Sequence, residues 1–317
     1  MEAKFKIIIL MALIVFVSGC IKSEPTNTQK QGLMVNADPD PKTIFEGSST
    51  ALHFDVKNNG EMDYYDTVIE LFDTGVMRVN NTCFHNFGTI SPGELQTFTC
   101  LVGVGNTNKK SNALNYRAKF RTYTTATPML KLISEDEYLK RKTTGKLNTL
   151  GRSFSYGDNN VKIDVSFSES LPIIDEKGRI EYMHIDIKNV GNGYVDPILN
   201  ESIAIVDLSA GQLPSMLQNE NPENENTGGI IGVIRSLFQI DPTGTITPNA
   251  GKIRQASIKT CNKPKVLNQI NGEFTRITCT VPLNGQTEFI QNHQLLIVVV
   301  YDYEVRGSAN INIEQKR

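Results

Sequence analysis

The stretch Leu52–Gly60 reads LHFDVKNNG, and a closely related stretch, MHIDIKNVG, follows at Met183–Gly191. Five of the nine positions are identical, and three of the other four are apolar in both copies. Apolar and polar residues alternate in both copies, which is typical of an antiparallel strand with one buried face. The Asn-Asn-Gly that closes the first copy tolerates left-handed backbone, so we expect the strand to end in a turn.

A second block follows each copy of this stretch. Gly93–Cys100 reads GELQTFTC and Gly272–Cys279 reads GEFTRITC; a Thr-Cys pair precedes each block, ending at Cys83 in one case and at Cys261 in the other. Two matched blocks in the same order indicate a duplicated domain rather than a solenoid of short units.

The duplication sets the predicted architecture. Short strands separated by turn signals, in units of about 100 residues, predict an all-β chain with two tandem immunoglobulin-like β-sandwich domains. We place these domains at 33–133 and 154–317, the second with a helical insertion near 209–250. A short helix and linker over 134–153 join them, and Ser134 with Glu137 predicts a capping box at the start of that helix.

The repeated motifs resemble the CARDB-type domains, which are cell-adhesion-related, immunoglobulin-like domains of prokaryotic surface proteins. The resemblance rests on a strand that ends in VKNNG (56–60) or IKNVG (187–191), and on ISPGE (90–94) before another strand. It covers most of the first domain and the first third of the second. It implies adhesion, scaffolding or spacing, and it carries over no catalytic residue.

The N-terminus predicts export. Two lysines precede an apolar run, Ile7–Val17, which is the layout of a signal peptide and is too short to cross a bilayer. The run leads into Val-Ser-Gly-Cys, which looks like a lipobox, so we predict a signal peptide over 1–19 and lipidation of Cys20. The polar segment 20–32 then forms a lipid-anchored linker. The predicted location is the outer face of the cytoplasmic membrane, at the cell surface or in the periplasm; an ordinary signal peptide, which releases the protein, is the alternative.

The other four cysteines predict two disulfides. One bond per domain is the only connectivity that agrees with the duplication, and it pairs Cys83 with Cys100 and Cys261 with Cys279. Oxidised cysteines fit an exported protein. A four-cysteine metal site would need closely spaced ligands from one locality, which these cysteines do not offer. We therefore predict no metal and no cofactor.

Composition and motifs argue against catalysis and nucleic-acid binding. The chain has 32 Lys plus Arg against 34 Asp plus Glu, so it lacks the positive field that attracts nucleic acid. His53 and His184 occupy equivalent positions, each two residues before an Asp on the same strand face. Such a pair could supply half of a metal site, but a solvated strand face is the preferred interpretation. His85 and His293 have no nucleophile motif nearby, and we predict that the protein is not an enzyme.

The insertion contains the predicted interaction element. Its apolar residues recur at the spacing of one helix face. Such a face must be covered: packing on the chain's own sandwich is the default interpretation, and a partner protein or a membrane surface is the other. We hypothesise that this helix is the interaction element. The residues are Ile230, Ile231, Val233, Ile234, Leu237 and Phe238.

Two Asn-x-Ser/Thr triplets, at Asn80 and Asn200, match the N-glycosylation pattern and matter only in a host that glycosylates exported proteins. The predicted function is a non-enzymatic surface lipoprotein that acts in adhesion or as an envelope scaffold. Its partners are the membrane, through the lipid, and an envelope or surface protein. The alternatives are a solute-binding lipoprotein of a transporter and an accessory subunit of a secretion or pilus machine.

Overall fold

The computed structural model describes residues 32–79, 83–208, 234, 237–240, 246–249 and 261–315. Within these ranges the chain is mostly β-strand, and the all-β prediction is confirmed. The strands of the first half are β1 (Leu33–Asp40), β2 (Thr43–Phe45), β3 (Ser49–Asn58), β4 (Tyr64–Asp73), β5 (Met77–Val79), β6 (Phe84–Ile90), β7 (Leu95–Val104), β8 (Ser111–Ala126) and β9 (Met129–Ile133), followed by helix α1 (Glu135–Thr143).

The second half continues with short strands and ends in a very long one. Residues Asn200–Ser202 form a 3₁₀ turn between two of these strands. The strands are β10 (Ser153–Gly157), β11 (Val161–Phe167), β12 (Ile173–Ile174), β13 (Ile180–Asn189), β14 (Tyr194–Val195), β15 (Ile198–Leu199), β16 (Ile203–Asp207), β17 (Phe238–Ile240), β18 (Ile246–Pro248), β19 (Cys261–Asn262), β20 (Val266–Leu267), β21 (Gln269–Ile270), β22 (Glu273–Phe274), β23 (Ile277–Pro282) and β24 (Ile290–Glu314).

The last strand joins the two halves. Strand β24 runs antiparallel to β8 from the Ile297–Ala126 pair to the Asn312–Ser111 pair. It belongs to a nine-stranded sheet, the shared sheet, with the order β12-β9-β24-β8-β4-β6, and β2, β14 and β16 also pair with β24. The shared sheet therefore contains strands from both predicted domains. Two separate tandem sandwiches are not confirmed, because the segments on either side of 134–153 are hydrogen-bonded into one layer.

Two smaller sheets cover one face of the shared sheet. The first small sheet has the order β1-β3-β7-β5, and the second small sheet is built on β10-β11-β13 with β19, β21, β22 and β23. One core cluster contains the inward residues of both small sheets together with alternate residues of β24, from Ile297 to Ile313. Fully buried Phe54, Phe120 and Phe167 come from the first small sheet, the shared sheet and the second small sheet respectively.

The opposite face of the shared sheet has its own core cluster. Leu296, Val298 and Val300 alternate with the residues that face the small sheets, so both faces of β24 are apolar here and both need cover. Ile234, Leu237 and Phe238 of the predicted interaction helix lie in this cluster, at most 4% exposed. These three residues pack on the chain's own sheet, as the default interpretation expected, and this burial corrects the hypothesis that they form an interaction surface. Phe238 lies at the start of β17, beyond the helical backbone of Leu237.

Helix α1 differs from its prediction at the cap. The Ser134 side chain makes no capping bond; its Oγ donates to the backbone oxygen of Glu288 at 3.0 Å. Glu137 accepts from Arg141 Nε at 2.5 Å instead of reaching back to Ser134. The capping-box prediction is therefore wrong. The Ser134 side chain bonds to a distant backbone oxygen, and the Glu137 side chain pairs with the arginine four residues later.

Candidate functional site

The repeated stretch builds the same cross-strand contact in both halves. The first copy lies in β3 and the second in β13. His53 Nδ1 lies 2.8 Å from Thr99 Oγ1, and His184 Nδ1 lies 3.1 Å from Thr278 Oγ1. These contacts lie on the outer faces of the small sheets. Within the described residues, no three His, Cys, Asp or Glu side chains are gathered as a metal site would require.

The asparagine of the repeated stretch holds a turn in both halves. The side chain of Asn58 donates to the backbone oxygens of Met62 at 2.8 Å and Ile90 at 2.9 Å, while its Oδ1 accepts from the N–H of Gly60. The side chain of Asn189 likewise donates to the oxygen of Gly193 at 2.8 Å. The repeat therefore fixes a strand and its turn.

Both disulfides have the predicted pairing but different placements. Cys83, just before β6, joins Cys100 on β7, so this bond connects the shared sheet to the first small sheet. Cys261 and Cys279 are direct partners on the neighbouring strands β19 and β23 of the second small sheet. Two disulfides favour an oxidising, exported location. Over the described ranges, none of the helices has the length and apolar content that a membrane crossing requires.

Several predicted site residues lie outside the described residues. These are Cys20, Asn80, Ile230, Ile231 and Val233.

The second glycosylation triplet lies in the described part of the chain. Asn200 is half-buried in the 3₁₀ turn, and its backbone N–H donates to Lys265 at 3.0 Å.

A cleft of about 380 Å³ lies where the two small sheets meet above the shared sheet. We call it the junction cleft. One wall is the start of β1, and the other consists of the β10–β11 turn and the β13–β14 loop. The residues that line the cleft include Leu33, Val35, Tyr116, Asn160, Val190 and Tyr303.

Aromatic rings cross the shared sheet beside this cleft. Tyr64, Phe120 and Tyr303 lie on the neighbouring strands β4, β8 and β24, with ring centroids 4.2 Å and 5.5 Å apart. Glycine backbone packs against one of these rings: a Cβ on Gly193 would come within 2.5 Å of the Tyr303 ring. The rings therefore form a rigid floor.

Asp158 connects the β10–β11 turn to this floor. Its Oδ1 accepts the backbone N–H groups of Asn160 and Val161, both at 2.7 Å. Its Oδ2 accepts the hydroxyl of Tyr301 at 2.6 Å and that of Thr124. Burial raises the pKa of Tyr301 well above its ordinary value, and the negative charge of Asp158 adds to this rise. The carboxylate thus joins the second small sheet to both central strands of the shared sheet.

Asn160 is a buried polar residue beside the cleft. Its side chain bonds to Tyr64, whose pKa is raised to about 12, chiefly by burial. The residue is only 3% exposed, and its side chain also bonds to the hydroxyl of Tyr301, where it lowers a pKa that burial raises. Its backbone oxygen accepts from Val190 at 2.8 Å and Gly191 at 3.1 Å. Sequence reasoning missed this residue, because Asp-Asn-Asn between two strands indicates only a turn.

Comparisons with known proteins identify no family. The chain matches no protein-family model and no curated protein. Among solved structures it aligns with the secreted serine protease VesC from Vibrio cholerae, at a TM-score of 0.22 and 10% identity, over 92% of this chain and 54% of that chain. It thus spans about half the length of that protease. The collagen adhesin (CNA) from S. aureus gives a TM-score of 0.11 and 11% identity, over 89% of this chain and 91% of that chain. Both TM-scores are too low to support an argument about fold or activity.

Proposed function

We propose that this protein is an exported, lipid-anchored envelope protein without catalytic activity, which acts as a rigid scaffold or adhesion module for another surface protein. The observation that carries the proposal is the shared sheet. Strand β24 pairs with β8 over residues 297–312, so the two halves move as one body rather than as two domains on a linker. A rigid body presents its surfaces in a fixed relation, which suits a scaffold.

The contacts of the histidines support a structural role. His53 and His184 each contact a threonine on the neighbouring strand. His85 stacks on Phe98, with ring centroids 5.0 Å apart. These contacts join strands and rings, and the resemblance to CARDB-type domains supports the same non-catalytic role.

The lipid anchor accounts for retention at the cell envelope. From Cys20 to Gly32 the extended chain spans at most about 40 Å. Gly32 lines the junction cleft, so the anchor would hold the cleft end of the body within that distance of the bilayer.

The anchor is tested with Cys20→Ala in cells that export the protein. The wild type should incorporate labelled palmitate and sediment with membranes, while C20A should lose the label and enter the soluble fraction. Membrane retention of C20A without label would contradict the anchor.

The scaffold role is tested by crosslinking on intact cells. A photo-crosslinking residue at Phe289, which is 67% exposed, should yield a discrete adduct with one envelope protein. A second crosslinker, at Ile270, which is 71% exposed, extends the search to the β21–β22 hairpin. The adducts should disappear in C20A, because an unanchored protein is no longer held beside the membrane. An absence of discrete adducts at both positions would contradict the scaffold role.

A second candidate function is favoured by one observation. A solute-binding lipoprotein needs a concave site between its parts, and the junction cleft is such a site.

A further inference from the structure

We propose that one end of the folded body rests on an anionic lipid bilayer through a basic tip, which consists of the last turn of α1 and the loop that follows it. The basic tip comprises Leu139, Lys140, Lys142, Lys146 and Leu150. The inference goes beyond the lipid anchor, because it assigns membrane contact to the folded body itself and orients that body.

Helix α1 stands clear of the core. None of its residues is buried, although the packing of one face supplies most of the stability of helices in proteins. Leu139 is 49% exposed, and Leu150, in the segment that returns the chain to the body, is 42% exposed. The basic tip therefore presents apolar side chains that the body does not cover.

The charge of this part of the chain is positive. From Tyr138 to Arg152 the sequence contains five Lys or Arg residues and no acid. One carboxylate, that of Glu137, pairs with Lys140 at 3.6 Å and with Arg141 at 2.5 Å. Five positive charges less this one negative charge leave +4, whereas the whole chain has a charge of -2.

The other acids of α1 lie at its opposite end. Glu135 and Asp136 belong to the first turn, and Lys140 and Lys142 to the last. Asp136 and Lys142 are about 9 Å apart along the helix axis, which is about one Debye length at physiological ionic strength. The acids of the first turn therefore offset the positive charge of the basic tip only in part.

A lipid surface fits this combination better than a soluble polyanion does. Each Lys or Arg that lies close to anionic headgroups strengthens binding about fivefold. Exposed leucines leave water only where hydrocarbon is available, which a bilayer interface offers and a soluble polyanion such as polyphosphate does not. Lysines interspersed with leucines on a surface helix are typical of a helix that binds at a membrane interface.

The dimensions of the body agree with such contact. Helix α1 follows β9, whose last residue, Ile133, pairs with Ile290 at the start of β24. The junction cleft lies beside Tyr303, which is about 43 Å further along this strand. The proposed lipid anchor holds Gly32, which lines the same cleft, within about 40 Å of the bilayer. Because the two lengths are similar, an anchored body can rest its basic tip on the membrane.

Vesicle binding tests the basic tip without the lipid anchor. The protein is the chain from residue 20 with Cys20→Ala, purified with both disulfides formed. It should sediment with phosphatidylglycerol vesicles at low ionic strength and bind phosphatidylcholine vesicles at least about tenfold more weakly. Added salt should release it, so this contact orients an anchored protein and does not retain an unanchored one on salt-washed membranes.

Matched double variants show whether the basic tip carries the binding. Lys142→Gln/Lys146→Gln removes two exposed cations and should weaken binding to phosphatidylglycerol at least about tenfold. Lys109→Gln/Lys110→Gln changes the net charge by the same amount at two exposed positions in the β7–β8 loop, and it should bind like the wild type.

A tryptophan reports whether the basic tip enters the interface, because the natural chain contains none. With Leu139→Trp, phosphatidylglycerol vesicles should shift the emission to shorter wavelength as the indole leaves water, and polyphosphate should not. The control Leu101→Trp replaces a leucine that is 54% exposed on the first small sheet, and its emission should stay unchanged.

Four results would overturn the proposal. They are no sedimentation with anionic vesicles at low ionic strength, an equal loss of binding in both double variants, an unshifted L139W emission, and stronger binding to polyphosphate than to vesicles at equal phosphate concentration. All four are obtained with unlipidated protein, so such a failure is distinct from a failure of the lipid anchor or of the scaffold role.

Discussion

The two halves of the chain use one repeated motif in different surroundings. In the first half the disulfide crosses between layers, from Cys83 at the edge of the shared sheet to Cys100 on the first small sheet. In the second half it joins two neighbouring strands of one layer, and the link between layers is made by Asp158 with Tyr301 and Thr124. The motif therefore determines a strand and its turn. Different contacts attach the two small sheets to the shared sheet: a disulfide in the first half and hydrogen bonds to Asp158 in the second.

The largest expected effect concerns the shared sheet itself. Phe120 is 2% exposed and lies between Tyr64 and Tyr303 in the aromatic row, so Phe120→Ala should lower the free energy of unfolding by about 3–5 kcal/mol. Because β8 pairs with β24, this loss should appear in a single transition that includes both halves. Denaturant unfolding followed by tyrosine fluorescence and by circular dichroism measures it.

The matched control is Phe289→Ala, which removes a ring that is 67% exposed and should change stability by less than about 1 kcal/mol. Two separate transitions, with F120A shifting only one of them, would show that the halves unfold independently. That result would restore the tandem-domain description.

The disulfides give the next largest effect. Their sequence separations are 17 and 18 residues, so restriction of the unfolded chain predicts a similar loss for either bond, about 3 kcal/mol. We expect the double variant Cys83→Ala/Cys100→Ala to lose more than Cys261→Ala/Cys279→Ala, because only the first bond also holds two layers together. Denaturation midpoints of the two double variants compare them directly. Equal losses would mean that loop closure alone accounts for both bonds.

A smaller loss of stability is expected when a tyrosine hydroxyl that links a small sheet to the shared sheet is removed. Tyr301 donates to the carboxylate of Asp158 at 2.6 Å, and Tyr116 donates to the backbone oxygen of Val35 at 3.1 Å. Hydrogen bonds to charged groups contribute more than neutral ones, so Tyr301→Phe should cost about 2 kcal/mol and Tyr116→Phe about 1 kcal/mol. Each variant is the control for the other, since both delete one buried hydroxyl from the shared sheet. The reverse order would show that Asp158 is not the main attachment of the second small sheet.

The local features of the two halves could be predicted from the sequence, and the long-range strand pairing that joins them could not. Period-two alternation in Leu52–Gly60 and the duplicated cysteines were enough for strands, turns and disulfide pairs. The pairing of β24 with β8 joins residues more than 170 positions apart along the chain, and no local pattern reports such a partner. The run Leu295–Val300 is continuously apolar and buried, but a local pattern cannot say which segments cover its two faces.

The candidate site was less predictable than the fold. Asn160 belongs to a turn sequence, and its importance arises from Gly32 and Tyr64, which the fold brings beside it. The apolar face that includes Ile234 and Leu237 was visible in the sequence, yet its partner proved to be the shared sheet. An amphipathic pattern shows that a face needs cover, and it does not identify the cover.

The smallest expected effect is a pH dependence at the start of β24. His293 Nδ1 lies 3.0 Å from Asp207 Oδ2 on β16, and this hydrogen bond, with the charge of Asp207, raises the pKa of His293 although burial opposes the rise. A folded pKa above the unfolded value, about 6.5, means that the contribution is fully present below that pH. It is lost as the pH rises through the folded pKa. The pair is partly exposed, so we expect less than about 1 kcal/mol.

Denaturant unfolding between about pH 5 and pH 9 measures this contribution. The wild type should lose stability relative to His293→Gln as the pH rises, because the variant keeps a polar side chain but cannot take up the proton. The first half offers the matched control His53→Gln, whose ring contacts the neutral hydroxyl of Thr99 rather than a carboxylate. If H293Q and the wild type follow the same pH curve, the contact between β16 and β24 depends on packing alone, and the two halves do not differ in this respect.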